Sequence, residues 1–586
     1  MAVSCWTLFF AALSGILFST QLSASQKEFT VPNYTFMRNA TTAPDISNYD
    51  YIIIGGGTAG CPLAATLSQN YSVLLLERGG SPYGNPNISN LAAFGAALSD
   101  TSPTSPAQRF ISEDGVINSR ARVLGGGSCL NAGFYTRASP EYAREAGWDG
   151  RAVNESYEWV EKIVAFEPEV KQWQSAVREG LLEIGVVPNN GFTYDHIGGT
   201  KVGGTIFDDQ GFRHTAADLL QYANPSAITL LLHATVHRIL FRVKDGSKPM
   251  AHGVVFRDSL GRKHRAYLKH HPRSEIIVSA GALGSPQLLM LSGVGPAEQL
   301  RAHNIRITLD QPLVGQGMSD NPMNAIFIPS PEPVEVSLIQ VVGITSFGSY
   351  IEAASGENFA GGSPRDYGMF SPKIGQLSRV PPKQRTPEAL AKATEAMQSL
   401  DQAAFRGGFI LEKIMGPIST GHLELRSRDP NQNPSVTFNY FQEPQDLERC
   451  VQGLSVVEKI IESKAFAPFR YPNMPVSVLL NMTANSPVNL LPKHTNSSLS
   501  LQQFCRDTVM TIWHYHGGCQ VGRVVDRDYK VLGVDALRVI DGSTFNYSPG
   551  TNPQATVMML GRYMGLQILS QRLGAPAADQ TYQKTV

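Results

Sequence analysis

Near its N-terminus the chain runs Tyr49-Asp50-Tyr51-Ile52-Ile53-Ile54 and then Gly55-Gly56-Gly57-Thr58-Ala59-Gly60. An unbroken apolar run of this length predicts a strand buried on both faces, as a parallel sheet requires. Thr58 to Gln69 reads as an Ala/Leu helix and Tyr71-Ser72-Val73-Leu74-Leu75-Leu76 as a second buried strand, which closes a β-α-β unit. The glycines divide the work: Gly55 permits the tight turn, Gly57 lets a pyrophosphate approach the backbone, and Gly60 lets the helix pack against the strand. Thr58 and Ala59 open the helix, whose first N–H groups and positive dipole end face the anion. Glu77 ends the second strand, where a carboxylate accepts from both ribose hydroxyls and repels a 2′-phosphate, which argues against NADP. The unit predicts a dinucleotide site and does not separate NAD from FAD.

At 586 residues the chain is too long for one small core, so two domains are expected. Further buried strands at Ile228 to Leu232 and Glu275 to Ser279, paired short strands over Val531 to Ile540 and a final helix from Ala555 to Leu573 make the nucleotide domain discontinuous. The expected fold is α/β. A Rossmann-like domain is built from 46–147, 203–314 and 506–575, and an α+β sheet-and-helix substrate domain from 148–202 and 315–505. Ser99 to Ala107 and Ser371 to Thr386 read as loops.

Lys+Arg and Asp+Glu balance at 49 each, so no global field attracts nucleic acid or an anionic membrane. Trp6 to Phe18 is a short apolar run followed by Ser23-Ala24-Ser25, which predicts a signal peptide over 1–25, although the start lacks a basic residue. The expected destination is the secretory pathway, outside the cell or in the cell wall, with no stable membrane span after cleavage. Sequons at Asn33, Asn39, Asn87, Asn154, Asn481 and Asn496 suit that route, while the formal matches at Asn70 and Asn546 read as turn asparagines. Cys5 leaves with the leader, and Cys61, Cys129 and Cys519 sit in glycine-rich motifs as small packing side chains. Cys450 and Cys505 remain, and in an oxidising compartment they could form one disulfide.

Two longer patterns say more. Ala121-Arg122-Val123-Leu124-Gly125-Gly126-Gly127-Ser128-Cys129-Leu130-Asn131-Ala132 resembles the first signature of the glucose-methanol-choline (GMC) oxidoreductases. The segment from Gly281-Ala282-Leu283-Gly284-Ser285-Pro286-Gln287 to Ser292-Gly293-Val294-Gly295 resembles the second. Val314 to Asn321 is similar to the loop that follows it, and Arg538-Val539-Ile540-Asp541-Gly542-Ser543 to the C-terminal flavin segment. The resemblance spans roughly Asn48 to Leu573 and implies FAD as the cofactor. It implies contacts from Val123, Gly127, Asn131 and Ala132, from the backbone at Val236, from Asp541 and Gly542, and from Asn552, Pro553 and Gln554. Some members attach FAD through a histidine in the first signature; Leu130 stands there in this chain, so the FAD is expected to be non-covalent.

Trp513-His514-Tyr515-His516-Gly517-Gly518-Cys519 places two histidines two apart, and on an extended strand both rings would point the same way. No third ligand accompanies them, so no metal is expected. The resemblance implies His514 as the base that takes the hydroxyl proton of an alcohol while hydride leaves for the flavin, a role suited to imidazole. His516 is the alternative base, and His516 and Tyr515 are otherwise candidates for substrate contact or support. The second catalytic position matches Asn552, whose amide can hold a substrate oxygen but cannot act as a base.

His514-Tyr515-His516-Gly517-Gly518 and Gly561-Arg562-Tyr563 resemble the plant branch that holds HOTHEAD-like proteins and (R)-hydroxynitrile lyases of the mandelonitrile type. The lyases use FAD structurally and typically carry a second histidine where this chain has Asn552, which favours oxidation. The HOTHEAD-like subgroup implies a small hydrophobic alcohol partner, of the class of long-chain ω-hydroxy fatty acids used in cutin or related extracellular lipid polymers. The resemblance leaves the electron acceptor unspecified. The alternatives are a lyase and a catalytically silent, flavin-binding extracellular protein.

Overall fold

The strand that opens the glycine turn, Tyr51–Ile54, lies inside a sheet of six parallel strands ordered Met37–Asn39, Ile228–Leu232, Val73–Leu76, Tyr51–Ile54, Glu275–Val278 and Leu537–Val539. The structure is a computed structural model and describes residues 32–100, 102–243, 246–356, 407–484, 500–550 and 552–574. The expected leader, the loop from Ser371 to Thr386 and the sequon at Asn496 lie outside the described residues. Tyr51–Ile54 and Val73–Leu76 are buried at every position, and strand alternation divides their side chains between two cores. Tyr51, Ile53 and Leu75 face the helix Gly60–Leu67, whereas Ile52, Ile54, Leu74 and Leu76 face Val236, Val254 and Leu289. The sheet is the Rossmann-like layer that the sequence predicts.

The final helix, Gln554–Leu573, lies against Gly60–Leu67. Gly561 and Gly565 make the approach possible. A Cβ on Gly561 would sit 2.3 Å from the carbonyl oxygen of Ala59, and one on Gly565 2.8 Å from Thr66 Cβ. The 531–540 region holds one strand, Leu537–Val539, with an isolated Lys530 to Arg538 bridge in place of a regular second strand.

The second layer is a seven-stranded sheet ordered Met510–Thr511, Pro322–Pro329, Gly407–Ile414, Ser349–Ser355, Val341–Ile344, Gly199–Val202 and Asn189–Phe192. Its pairs are antiparallel except the last. Helices Gln172–Glu183 and Pro444–Glu462 cover one face, where Trp173, Leu181, Leu454 and Ile460 pack on Ile326, Ile351 and Ile410. The other face presents Met323, Phe409 and Leu411 to Ile512, Ala132 and Trp513. The disulfide Cys450–Cys505 is present, and Cys61, Cys129 and Cys519 are buried free thiols.

The boundary at residue 148 needs correction. Gly150–Val164 buries Val153, Tyr157 and Val160 in the same core as Tyr51 and Ile53, so this helix packs with the parallel sheet instead of the second layer. Its apolar stripe recurs at helical spacing, but which layer it covers is a long-range property that the spacing does not encode. Among the described residues no helix is long and apolar enough to cross a membrane.

Candidate active site

One cavity is lined by Gly55, Gly57, Thr58, Ala59 and Glu77 from the β-α-β unit. Val123, Gly127, Leu130, Asn131, Ala132 and Val236 line it too, as do Asp541, Gly542, Asn552, Pro553, Gln554, His514 and Tyr515. Residues some 500 positions apart in sequence, from Gly55 to Gln554, thus share a wall. Gly60 is not on this wall. A Cβ there would stand 1.9 Å from the oxygen of Gly55, so Gly60 serves helix-to-turn packing as its place in the motif predicts.

The glycines shape the cavity. At Gly57 an added Cβ would meet nothing nearer than 3.8 Å, at Gly127 nothing nearer than 4.0 Å, and at Gly281 nothing within 4 Å. The space these side chains would fill is the cavity itself, so bare backbone meets whatever occupies it. Ala59 at the N-cap of Gly60–Leu67 makes no side-chain cap hydrogen bond, and no side chain competes there for the first N–H groups.

Polar side chains around the cradle are held by backbone. Glu77 accepts from Gly56 N–H at 3.0 Å through Oε2 and from Gly79 N–H at 2.7 Å through Oε1. Each oxygen keeps a second lone pair for a ligand hydroxyl. Burial raises the Glu77 carboxyl above its usual range, against the pull of those N–H groups. Asp541 accepts from Gly281 N–H at 2.8 Å and from the Ser285 hydroxyl, which ties the second-signature helix to the C-terminal segment. Asn131 donates to Gln554 Oε1 at 2.8 Å and accepts from Gly133 N–H at 3.0 Å, and Gln554 donates to Phe134 O at 2.6 Å. The first signature and the final helix are thereby sewn together.

At the other end His514 is 8% exposed and lines the cavity, whereas His516 does not line it. The expectation that both rings share a side therefore fails. The strand ends at Thr511, Trp513 takes a left-handed φ of 60°, and the alternation of an extended strand is lost before His514. His516 instead exchanges backbone hydrogen bonds with Ser319, and its Nδ1 lies 3.0 Å from His514 O. Burial pushes it down to about 4. Tyr515 reaches the cavity wall while its hydroxyl donates to Ser119 O at 2.7 Å, which fixes the strand Ile117–Ala121.

His514 is oriented by two residues that sequence reasoning left without a role. Asp320 Oδ1 accepts the His514 backbone N–H at 3.0 Å, and Asn321 Nδ2 lies 3.2 Å from ring Nδ1, which leaves Nε2 for a substrate. Burial, then the charge of Lys413, then His516 hold His514 well below the usual histidine range, so the ring is neutral at neutral pH. Asn552 Oδ1 accepts from Lys413 Nζ at 3.1 Å. The surrounding wall is apolar, with Leu98, Ile339, Ile512 and Trp513. The signal for Lys413 in the sequence is a charged pair, Glu412-Lys413, inside the apolar strand Gly407–Ile414. Arg78 and Arg120 also line the cavity, and each donates to Gln108 Oε1. No group of metal-ligating side chains occurs among the described residues.

Comparison with known proteins adds to this geometry. Two sequence-family models described as GMC oxidoreductase match residues 49–323 and 417–561. The chain is 52% identical to the Protein HOTHEAD of Arabidopsis thaliana, over 96% of this chain and 97% of that protein. It is 50% identical to an (R)-mandelonitrile lyase-like protein of the same plant, over 92% and 93% of the two chains. It is 43% identical to the sinalpyl alcohol oxidase Nec3 of Nesocodon mauritianus, over 91% and 90%. The fold matches a formate oxidase structure from Aspergillus oryzae with a TM-score of 0.69 at 19% identity, over 91% of this chain and all of that one.

Proposed function

The chain belongs to the GMC oxidoreductase family and is an FAD-dependent oxidoreductase of alcohols, and from that premise we propose that its substrate is a long-chain ω-hydroxy fatty acid for cutin or a related extracellular polymer. The observation that carries the reading is the placement of neutral His514 and of Asn552 on the wall that also carries the glycine cradle, with Leu98, Ile339, Ile512 and Trp513 around them. Apolar walls favour an alkyl chain over a sugar, because a polyol would lose hydration there without replacement hydrogen bonds. The likeness to Protein HOTHEAD and to an alcohol oxidase supports the oxidation of an alcohol, and the long-chain substrate rests on the apolar wall and the subgroup resemblance.

Gly57, Gly127 and Gly281 would hold FAD by backbone approach, Glu77 by its ribose and Asp541 at its pyrophosphate, and the bare cradle described above fits such a group. When bound, FAD supplies the acceptor for hydride from the carbinol carbon. The protein's own part is proton transfer and orientation. His514 takes the hydroxyl proton at Nε2. That role needs the ring hydrogen on Nδ1 and the Asn321 oxygen facing it, a half-turn of the carboxamide that gives up the hydrogen bond its oxygen accepts from Gly416 N–H at 3.3 Å. Asn552 holds the substrate oxygen while its charge grows. Leu130 offers no atom for covalent attachment, so FAD is held non-covalently; acid precipitation should leave unmodified flavin in the supernatant, and flavin retained on the polypeptide would count against this.

Anaerobic mixing with ω-hydroxypalmitate and a panel of shorter, aromatic and polyol alcohols tests the reading. Bleaching of the oxidised flavin band by the long-chain alcohol is the expected result, and bleaching only by a polyol would refute the substrate class. The 50% identical lyase-like relative favours a second reading, cleavage of a cyanohydrin. Cyanide release from mandelonitrile with unchanged flavin would establish it, and neither response would leave a flavin-binding protein without turnover.

We propose a secretory destination on the same footing. Asn33, Asn39, Asn87, Asn154 and Asn481 are exposed, and the Cys450–Cys505 disulfide suits an oxidising compartment. Of these, Asn154 is engaged on both sides by Arg137 and Glu158, so Asn87 is favoured over it as a glycan acceptor.

A further inference from the structure

Lys413 and Glu352 stand on the adjacent strands Gly407–Ile414 and Ser349–Ser355. Tyr350 pairs with Lys413 and Glu352 with Leu411, so alternation puts Lys413, Glu352 and Tyr350 on the sheet face that carries Phe409 and Leu411 toward the cavity. Both charged side chains are fully buried, and Nζ donates to Glu352 Oε2 at 2.7 Å. Lys413 also lies over the Tyr350 ring, 4.6 Å from its centroid.

A buried ion pair of this kind needs a reason. Taking both charges out of water is expensive, and well-packed apolar side chains of similar volume often serve a fold as well or better. The contact with Asn552 supplies the reason. A lysine ammonium carries donors only, so the carboxamide can meet it only through its oxygen. Lys413 Nζ does so at 3.1 Å, on a residue that lines the cavity beside His514. The amide nitrogen is thereby assigned to the opposite end of the group, away from the ammonium. An amide set the other way would aim NH2 at Lys413 and leave a carbonyl lone pair against an oxygen that gains negative charge as its proton leaves.

We propose that Lys413, held in place by Glu352, is a positioning residue that fixes the Asn552 carboxamide with its nitrogen toward the substrate oxygen. The proposal rests on the reading that Asn552 holds that oxygen. Glu352 keeps Nζ on station, and Lys413 acts on the reaction through Asn552 without touching substrate.

A double-mutant cycle in the FAD-loaded full chain tests it, with Lys413→Met, Asn552→Ala and their combination, using ω-hydroxypalmitate or whichever alcohol of the panel bleaches the flavin. Rates are read on the high-pH plateau, where His514 is neutral in every variant, and flavin content and Tm are recorded alongside. We expect Lys413→Met to lower kcat about tenfold with KM changed less than threefold, since misplacement of a positioned group can cost up to a hundredfold. In the Asn552→Ala background the same change should alter kcat less than twofold. Where Lys413→Met fails to fold because Glu352 is left alone, Lys413→Met with Glu352→Met removes both charges together and takes its place in the cycle. Wild-type kcat in either Lys413 variant, or a loss that multiplies in full with that of Asn552→Ala, overturns the proposal. Full turnover in Asn552→Ala alone would instead overturn the reading of Asn552 on which it rests.

Discussion

Gly57→Ala separates the two duties proposed for the cradle, holding the fold and holding the cofactor. Gly57 is not among the glycines with positive φ, and an added methyl would touch only Gly126 Cα at 3.8 Å and the Ser279 oxygen at 3.9 Å. The FAD-free protein should therefore tolerate it, and the loss of chain freedom in the unfolded state should raise stability by about 0.4–1 kcal/mol. Bound FAD meets the same methyl in space it would otherwise fill. If the pyrophosphate is pushed off one charge-assisted hydrogen bond, about 2 kcal/mol of binding is lost, or about thirtyfold in Kd. Gly55→Ala makes the contrast. Its φ is 105° and its Cβ would sit 2.3 Å from the Ser279 oxygen, so that change should lower the Tm of the FAD-free protein, through strain of about 1–3 kcal/mol before any clash is counted. The assay is calorimetric titration of FAD into stripped protein, with thermal unfolding of the same samples. A Kd for Gly57→Ala within twofold of wild type would refute the placement of the pyrophosphate at this turn.

Other expectations follow from the catalytic end and from the second layer. His514→Ala should cut kcat by about a hundredfold or more while flavin absorbance is kept, and Asn552→Ala should cut it less; full activity of the histidine variant in stopped-flow reduction would remove His514 as the base. Because burial and the Lys413 charge hold His514 below the usual histidine value, the base stays neutral to lower pH, and kcat/KM should fall only as pH drops below ~6.5. Lys413→Met removes a cationic neighbour and should move this acid limb to higher pH in a pH-rate profile; a limb above neutrality in the unaltered enzyme would contradict the depressed value. Opening the Cys450–Cys505 link, which spans a sequence separation of 55, should cost about 4 kcal/mol by loop entropy, and denaturant melts of Cys450→Ser with Cys505→Ser measure it.

The dinucleotide turn was legible because its physics is local. One strand, three glycines and one helix start sit within a dozen residues, and each glycine's duty shows in its own surroundings. The cavity wall from Val123 to Gln554 was legible only through resemblance to long signatures, since nothing in the spacing says that Asn131 and Gln554 meet. His514 and His516 show where pattern reading stops. Two residues apart implies one side only while the backbone stays extended, and the left-handed turn at Trp513 is set by contacts rather than by a glycine that could announce it. Lys413, Glu352, Asp320 and Asn321 went unassigned for a related reason. Each is an ordinary polar residue until the sheet brings it within reach of His514 and Asn552, and a charge inside an apolar strand marks only that burial needs a partner. The place of the helix Gly150–Val164 in the parallel-sheet core was not legible, because amphipathic spacing says that a face is buried and not against what.

The seam between Asn131 and Gln554 also bears on how the protein is made. The glycine turn leaves the ribosome long before Asp541 and the start of the helix Gln554–Leu573, and the edge strand Leu537–Val539 emerges with that later segment. A nascent chain halted before residue 537 has the turn and lacks the far wall, so it should not retain FAD. Loading then waits on a distant segment: a chain that carries tightly held flavin has been translated through Gln554–Leu573 and has docked that helix, which makes flavin colour a reporter of that docking as well as of catalytic competence.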